Sequence, residues 1–279
     1  MCRHDDCSDS PDRRSFLVGA TASVATMALR NVGSAGAQTK LPETRVLDDP
    51  SVHLGKVMFT HNGVETIDGY LARPKAAGTY PAVLVIAGNR ITEEYIPNTC
   101  AALALAGFAG LAPDIFHTLP EAARTPEESR KALANHTDFD VMEDIDAAAD
   151  HLRRQPFVKT GGMGVLGFCY GGRMAMLYGA RSRQIDAVVA FHPGVTGAEE
   201  IKRLTSPVQI HHGTADQSVS ITESEKLVKI LQAQHTTVEF FSYPEANHGF
   251  LAYTRPTYKP DAARLAWSRA TQFLGKYLG

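Results

Sequence analysis

The chain predicts an α/β protein, a mostly parallel sheet with helices on both faces and an antiparallel hairpin at its N-terminal side. Three observations carry that expectation. Short apolar runs of strand type alternate with longer helical patterns; those runs are apolar at nearly every position, as in strands covered on both faces; and an Asn62-Gly63 turn signal joins two strand-like runs ahead of them.

Taken in order, Gly55 to His61 and Glu65 to Ala72 read as the hairpin strands. Pro81 to Ala87 is a buried-type strand, Tyr95 to Ala106 an apolar helix, Phe108 to Ala112 a strand and Phe139 to Arg154 a helix. Gly164 to Phe168 is a strand that turns tightly into a helix over Arg173 to Tyr178. Strands at Ile185 to Phe191 and Val208 to His212 precede a helix at Glu223 to Gln234, a strand at Val238 to Tyr243 and a closing helix from Asp261 to Leu278. Thr118 to His136 is less regular and reads either as a cap beside the site or as a surface helix with loops. In such sheets ligands gather at the carboxyl ends of the strands.

Composition narrows the function. The chain has 279 residues, 44% of them hydrophobic, and 28 basic residues scattered among 30 acidic ones. That is enough material for one large core, with no basic footprint for nucleic acid and no membrane span in the body of the chain, so the expected partner is a neutral small molecule. At the N-terminus, Arg13-Arg14-Ser15-Phe16-Leu17, the apolar Val18 to Leu29 and the cleavage-type Ala35-Gly36-Ala37 form a twin-arginine export signal; the bland reading is a partly basic tail. The expected organisation is a signal over 1–37, a linker over 38–50 and one catalytic domain over 51–279, delivered by the twin-arginine (Tat) export machinery to the periplasm. Cys2 and Cys7 would leave with the signal. Cys100, in an apolar helix pattern, reads as a small core residue, and a Cys100–Cys169 disulfide would abolish the nucleophile considered next.

Gly167-Phe168-Cys169-Tyr170-Gly171-Gly172 has the G-x-nucleophile-x-G form of a nucleophile elbow, with cysteine in place of the usual serine, and its context is strand, tight turn, helix. A side chain projected from so sharp a turn needs neighbours without bulk, which Gly167 and Gly171 supply. The free N–H groups at the start of a helix favour thiolate over thiol, and the Tyr170 N–H is placed to bind an oxyanion. The alternative is a packing cysteine between flexible glycines. Two later strand ends weigh against that alternative. Val208 to His212 runs into Gly213-Thr214-Ala215-Asp216, and Val238 to Tyr243 runs into Asn247-His248-Gly249, so an acid and a base follow the nucleophile in the chain order of α/β-hydrolases. Singly, Asp216 reads as a turn residue and His248 as a surface histidine; together with Cys169 they form a candidate triad. Adjacent His211 and His212 point to opposite faces of a strand and cannot chelate together, so no metal site is expected. His117, after Leu111-Ala112-Pro113-Asp114, either lines the pocket or lies in solvent.

These motifs resemble the dienelactone hydrolase (carboxymethylenebutenolidase) family. The elbow through Arg173, the strand end Leu111-Ala112-Pro113-Asp114, the histidine loop Asn247-His248-Gly249-Phe250 and the closing helix with Ala263-Arg264-Leu265-Ala266-Trp267 are similar to its pattern over about Gly55 to Leu278. The resemblance implies an α/β-hydrolase fold and a Cys169, Asp216, His248 triad acting on small esters or lactones without a cofactor. Tyr170, Gly88 and Asn89 are the expected oxyanion-hole donors, and Arg90, His117, Arg173 and Arg255 the expected substrate-binding residues. Two departures stand out. Gly88, in Ala87-Gly88-Asn89-Arg90, occupies the place of the family's glutamate, which holds and helps activate the resting thiol, and Glu93 and Glu94 lie a turn further on. No arginine closely follows His248; Arg255 is seven residues away. The alternative that these departures leave open is a non-hydrolytic small-molecule binding module with a vestigial site.

Overall fold

The computed structural model describes residues 45–61, 63, 65–88, 93–118, 137–194 and 198–279. The expected signal, most of the linker, Asn89, Arg90 and nearly all of the 118–136 stretch lie outside the described residues.

Eight strands form one sheet. They are β1 (Val52–His61), β2 (Glu65–Pro74), β3 (Ala82–Ile86), β4 (Ala109–Pro113), β5 (Met163–Phe168), β6 (Ile185–Phe191), β7 (Val208–Gly213) and β8 (Val238–Tyr243), arranged in the order β1-β2-β4-β3-β5-β6-β7-β8. The hairpin β1–β2 is antiparallel, with His61 opposite Glu65 at its tip, and β2 pairs antiparallel with β4. From β4 onward every pairing is parallel. The six parallel strands β3 to β8 therefore present their carboxyl ends along one edge, which is where the chemistry-bearing loops emerge.

The described helices are α1 (Tyr95–Leu105), α2 (Asp138–Arg153), α3 (Tyr170–Arg181), the short α4 (Ala198–Ile201), α5 (Ile221–Ala233) and α6 (Pro260–Leu278). The period-two geometry of strands sorts the core into two layers. Val83 and Val85 of β3 pack with Cys100 and Leu103 of α1 and with Trp267 and Leu274 of α6. Leu84 and Ile86 of the same strand pack on the other face with Ile145 of α2, Met174 of α3 and Leu227 of α5. Every residue of β3, β4 and β5 is buried, which is what a strand covered on both faces requires. Each fully buried aliphatic side chain contributes about 1.5–3 kcal/mol.

Local signals set the helix ends that matter to the site. Thr137 caps α2 by accepting from the Asp140 N–H, and the Asp140 carboxylate accepts in return from the Thr137 N–H. Ser220 caps α5 in the same sense through the Thr222 N–H. At α3 no side chain caps the first turn, and Cys169 itself is the N-cap residue. The N–H groups at that end are left to whatever occupies the space in front of them.

Candidate active site

Cys169 sits between β5 and α3 with φ 54° and ψ −117°, a left-handed backbone that an L-residue adopts only under constraint. The constraint is visible in the surrounding bonds. The Cys169 N–H donates to the Phe191 carbonyl at 3.0 Å, and the Cys169 carbonyl accepts from the Arg173 N–H at 3.0 Å. Glycine is obligatory on either side: a Cβ on Gly167 would lie 2.1 Å from the Gly171 carbonyl oxygen, and one on Gly171 the same distance from the Ile86 carbonyl oxygen. Behind the turn, the Phe168, Phe191 and His211 rings stack at centroid separations of 5.1 and 4.6 Å, which fixes the ends of β5, β6 and β7 against one another.

His248 and Asp216 come to the same edge from the loops after β8 and β7. His248 Nδ1 lies 2.8 Å from Asp216 Oδ2. Asp216 is buried and accepts two backbone N–H bonds, from Ser218 at 2.8 Å and Val219 at 2.9 Å, while His212 Nε2 approaches at 3.4 Å. Burial alone would raise the Asp216 carboxyl, but the hydrogen bonds from His212, His248 and Val219 outweigh it and hold the group well below the usual carboxylate range. For His248, burial disfavours the charged ring, yet the hydrogen-bond partners Asp216 and Cys169 outweigh it and raise the imidazole to about 9.

A third group reaches this point. His192, directly after β6, is buried, has φ 35°, and has no hydrogen-bond partner on either ring nitrogen among the described residues. Its ring centroid is 4.3 Å from that of His248. One ring nitrogen from each of these two histidines and the Cys169 sulfur all lie within 4.8 Å of one another. Burial first, and then the neighbouring His248 charge, keep His192 well below the usual histidine range, so it is neutral. Phe191-His192-Pro193-Gly194 stands at a strand end just as Asp216 and His248 do, and that position is the signal in the sequence that could have singled out His192. The expectation of no metal site rests on His211 and His212 alone. Those two do point apart, His211 to Tyr243 and Gln209, and His212 to Ser224 and the Val219 carbonyl. With His192, by contrast, three metal-capable donors converge.

Among the other expected site residues, Gly88 lies against the elbow. A Cβ there would meet the Phe168 carbonyl oxygen at 2.5 Å and the Cys169 Cβ at 3.0 Å, so no side chain fits at this backbone position. The close approach of the chain to the elbow at this point depends on glycine. Tyr170 is the first helical residue of α3, so the helix itself leaves its N–H unused. Arg255 stands beside the histidine loop: its guanidinium pairs with Glu93 at 2.8 and 3.1 Å and lies 3.2 Å from where a Gly249 Cβ would be. Glu94 bonds the Tyr253 hydroxyl, so neither glutamate is seen turned to the thiol. The structure does not bring Arg173 or His117 to the thiol as bonded partners. Arg173 pairs with Asp138 and lines a cleft between α2 and α3 with Met142, Leu177 and Arg203. His117 Nε2 lies 3.2 Å from both carboxylate oxygens of buried Asp144, which also meets His61 Nδ1 at 3.4 Å. Cys100 and Cys169 are both free; Cys100 is buried in α1, and burial pushes its thiol up to about 12.

The sheet order, with a nucleophile-type residue on the β5–α3 turn and histidine and carboxylate on later strand ends, defines an α/β-hydrolase. Within that class, the model of the dienelactone hydrolase family matches residues 67–278, and the chain belongs to that family. It is 30% identical over 221 residues to a Bradyrhizobium protein assigned as a 2-oxo-3-(5-oxofuran-2-ylidene)propanoate lactonase, covering 75% of this chain and 89% of that protein. It is 28% identical over 224 residues to a Methylorubrum extorquens protein assigned as a carboxymethylenebutenolidase, with 76% of this chain and 77% of that one covered. A Klebsiella pneumoniae crystal structure assigned as a dienelactone hydrolase superposes with a TM-score of 0.74 at 28% identity, over 81% of this chain and 99% of that chain. Family and fold thus point to a hydrolase of the ester and lactone type. Among the described residues no helix is long and apolar enough to cross a membrane.

Proposed function

We propose that the protein hydrolyses a small ester or lactone through a Cys169, His248, Asp216 triad and a thioester acyl-enzyme, without a cofactor. The observation that carries this reading is the convergence of the Cys169 sulfur and His248 at one strand edge, with His248 Nδ1 held by Asp216 at 2.8 Å. Since Nδ1 is taken, Nε2 is the nitrogen that exchanges protons with sulfur and substrate.

The Cys169 proton passes to His248 Nε2 and the sulfur attacks the carbonyl carbon. The tetrahedral oxyanion lies before the Tyr170 N–H and an N–H of the loop that starts at Gly88, each donor lowering the barrier by about 3 kcal/mol. His248 then gives its proton to the departing alkoxide oxygen, leaving a thioester on Cys169. In the second half, His248 takes a proton from water, which attacks the thioester, and the acid departs as sulfur recovers its proton. Arg255, beside the histidine loop, and Arg90 are proposed to meet a polar or anionic part of the substrate.

The test is turnover of p-nitrophenyl esters and a panel of lactones. Cys169→Ala and His248→Ala each reduce the rate by several orders of magnitude; near-normal activity in either variant removes the triad from this reading. We also propose that Arg13-Arg14 directs export to the periplasm. Replacing both by lysine then leaves the precursor in the cytoplasm, and unchanged export rules the proposal out.

A further inference from the structure

We infer that Cys169, His192 and His248 form a binding site for a divalent zinc ion, and that the ion, once bound, silences hydrolysis. The binding half stands on geometry alone; the silencing half rests on the proposed roles of Cys169 and His248.

One thiol sulfur and two imidazole nitrogens are a donor set that zinc takes, and the three atoms already lie within 4.8 Å of one another. Ligand atoms around a tetrahedral zinc at bond lengths of about 2.0–2.3 Å stand roughly 3.5 Å apart, so the cluster needs to draw in by about 1 Å. His192 is the residue able to make that adjustment. It is only 3% exposed, and both of its ring nitrogens lack partners among the described residues, so a nitrogen turned toward a metal gives up no existing hydrogen bond. His248 is oriented in advance. Its Nδ1 is tied to the Asp216 carboxylate at 2.8 Å, the outer-shell arrangement that fixes the tautomer of a metal-bound imidazole and leaves Nε2 toward the ion. The donors follow the ends of β5, β6 and β8, three strands of one sheet.

On binding, hydrated zinc sheds all but one of its waters as it takes Sγ, a His192 nitrogen and His248 Nε2 into a tetrahedral shell. The one proton that Cys169 and His248 hold between them leaves to solvent, and no group is oxidised or reduced. A fourth position stays open for water. The nucleophile and its base are then both ligands, so hydrolysis stops until a chelator removes the ion.

The test titrates the chelator-treated protein with zinc chloride by calorimetry and with cobalt chloride by absorption, neither of which depends on turnover. The expected result is one ion per chain with Kd below about 1 μM, and a thiolate-to-cobalt charge-transfer band that Cys169→Ala abolishes. His192→Asn, chosen because asparagine tolerates a positive φ, is expected to weaken zinc binding about 100-fold, read by calorimetry independently of turnover. Zinc is expected to protect Cys169 from iodoacetamide in the parent chain and to fail to do so in His192→Asn. Equal affinity in His192→Asn, absence of the charge-transfer band in the parent, or a zinc-loaded protein that hydrolyses as fast as the metal-free one each overturns the inference. Should His192→Asn not fold, the cobalt band and its loss in Cys169→Ala decide the matter.

Discussion

Gly88 and Cys169 show how one residue can exclude another. The backbone at Gly88 passes so near the elbow that a Cβ would sit 2.5 Å from the Phe168 carbonyl oxygen. Gly88→Ala is therefore expected to lower stability by about 1–3 kcal/mol, as overpacking does, and to cut esterase activity by at least about tenfold through displacement of Cys169, read by thermal melting and p-nitrophenyl ester turnover. The two described thiols differ as sharply. Cys100 is buried with its thiol pushed up to about 12, so stoichiometric iodoacetamide should label Cys169 and leave Cys100 unmodified until the protein is denatured, as peptide mass spectrometry will show. The pH dependence follows from the dyad. His248 is raised to about 9, so its contribution to stability is complete below about pH 6.5 and is lost as pH rises toward 9. Asp216 is lowered, so its contribution is present above about pH 4 and is lost as pH falls further. The melting-temperature gap between parent and His248→Ala should accordingly narrow between pH 6.5 and 9.

At the scale of elements, two clasps hold the framework around the site. The reciprocal Thr137–Asp140 cap opens α2, and Thr137→Ala should cost about 1 kcal/mol in a urea melt with turnover unchanged. Farther along α2, Asp144 lies between His117 and His61, joining that helix to the loop after β4 and to the tip of the hairpin. The Asp144 hydrogen bond outweighs burial and raises His117, so this clasp strengthens folding at low pH and weakens as pH rises past about 6.5; His117→Asn should remove that part of the slope. Most elements were legible because their periods are clean: β6 and β8 fall at the expected bounds, and the other strands differ by one to three residues at an end. The start of α3 at Tyr170 rather than Arg173 was hidden by Gly171-Gly172, which read as loop but are needed for close approach of Ile86 and Phe191. The four-residue α4 carries too little pattern to be seen. Of the site, the Cys169, Asp216 and His248 positions could be found through strand-end logic. The pairing of His117 and Arg173 with carboxylates on α2 could not, because it depends on tertiary neighbours that no local spacing records.

For the whole molecule, the chemistry depends on one sheet bringing strand ends that are far apart in sequence to a single edge, and both cores share in that. Trp267 is fully buried in the layer under α6, so Trp267→Ala should cost about 3–5 kcal/mol and loosen the β5–β6 platform without touching the site directly, a loss measurable by calorimetry. The positive φ of Cys169 works in the opposite direction. Glycine would occupy that backbone without penalty, and relief of about 1 kcal/mol should raise the melting temperature of Cys169→Gly by roughly 2–4 °C while the proposed hydrolysis vanishes. A thermostability screen run without an activity screen would therefore select the proposed nucleophile away.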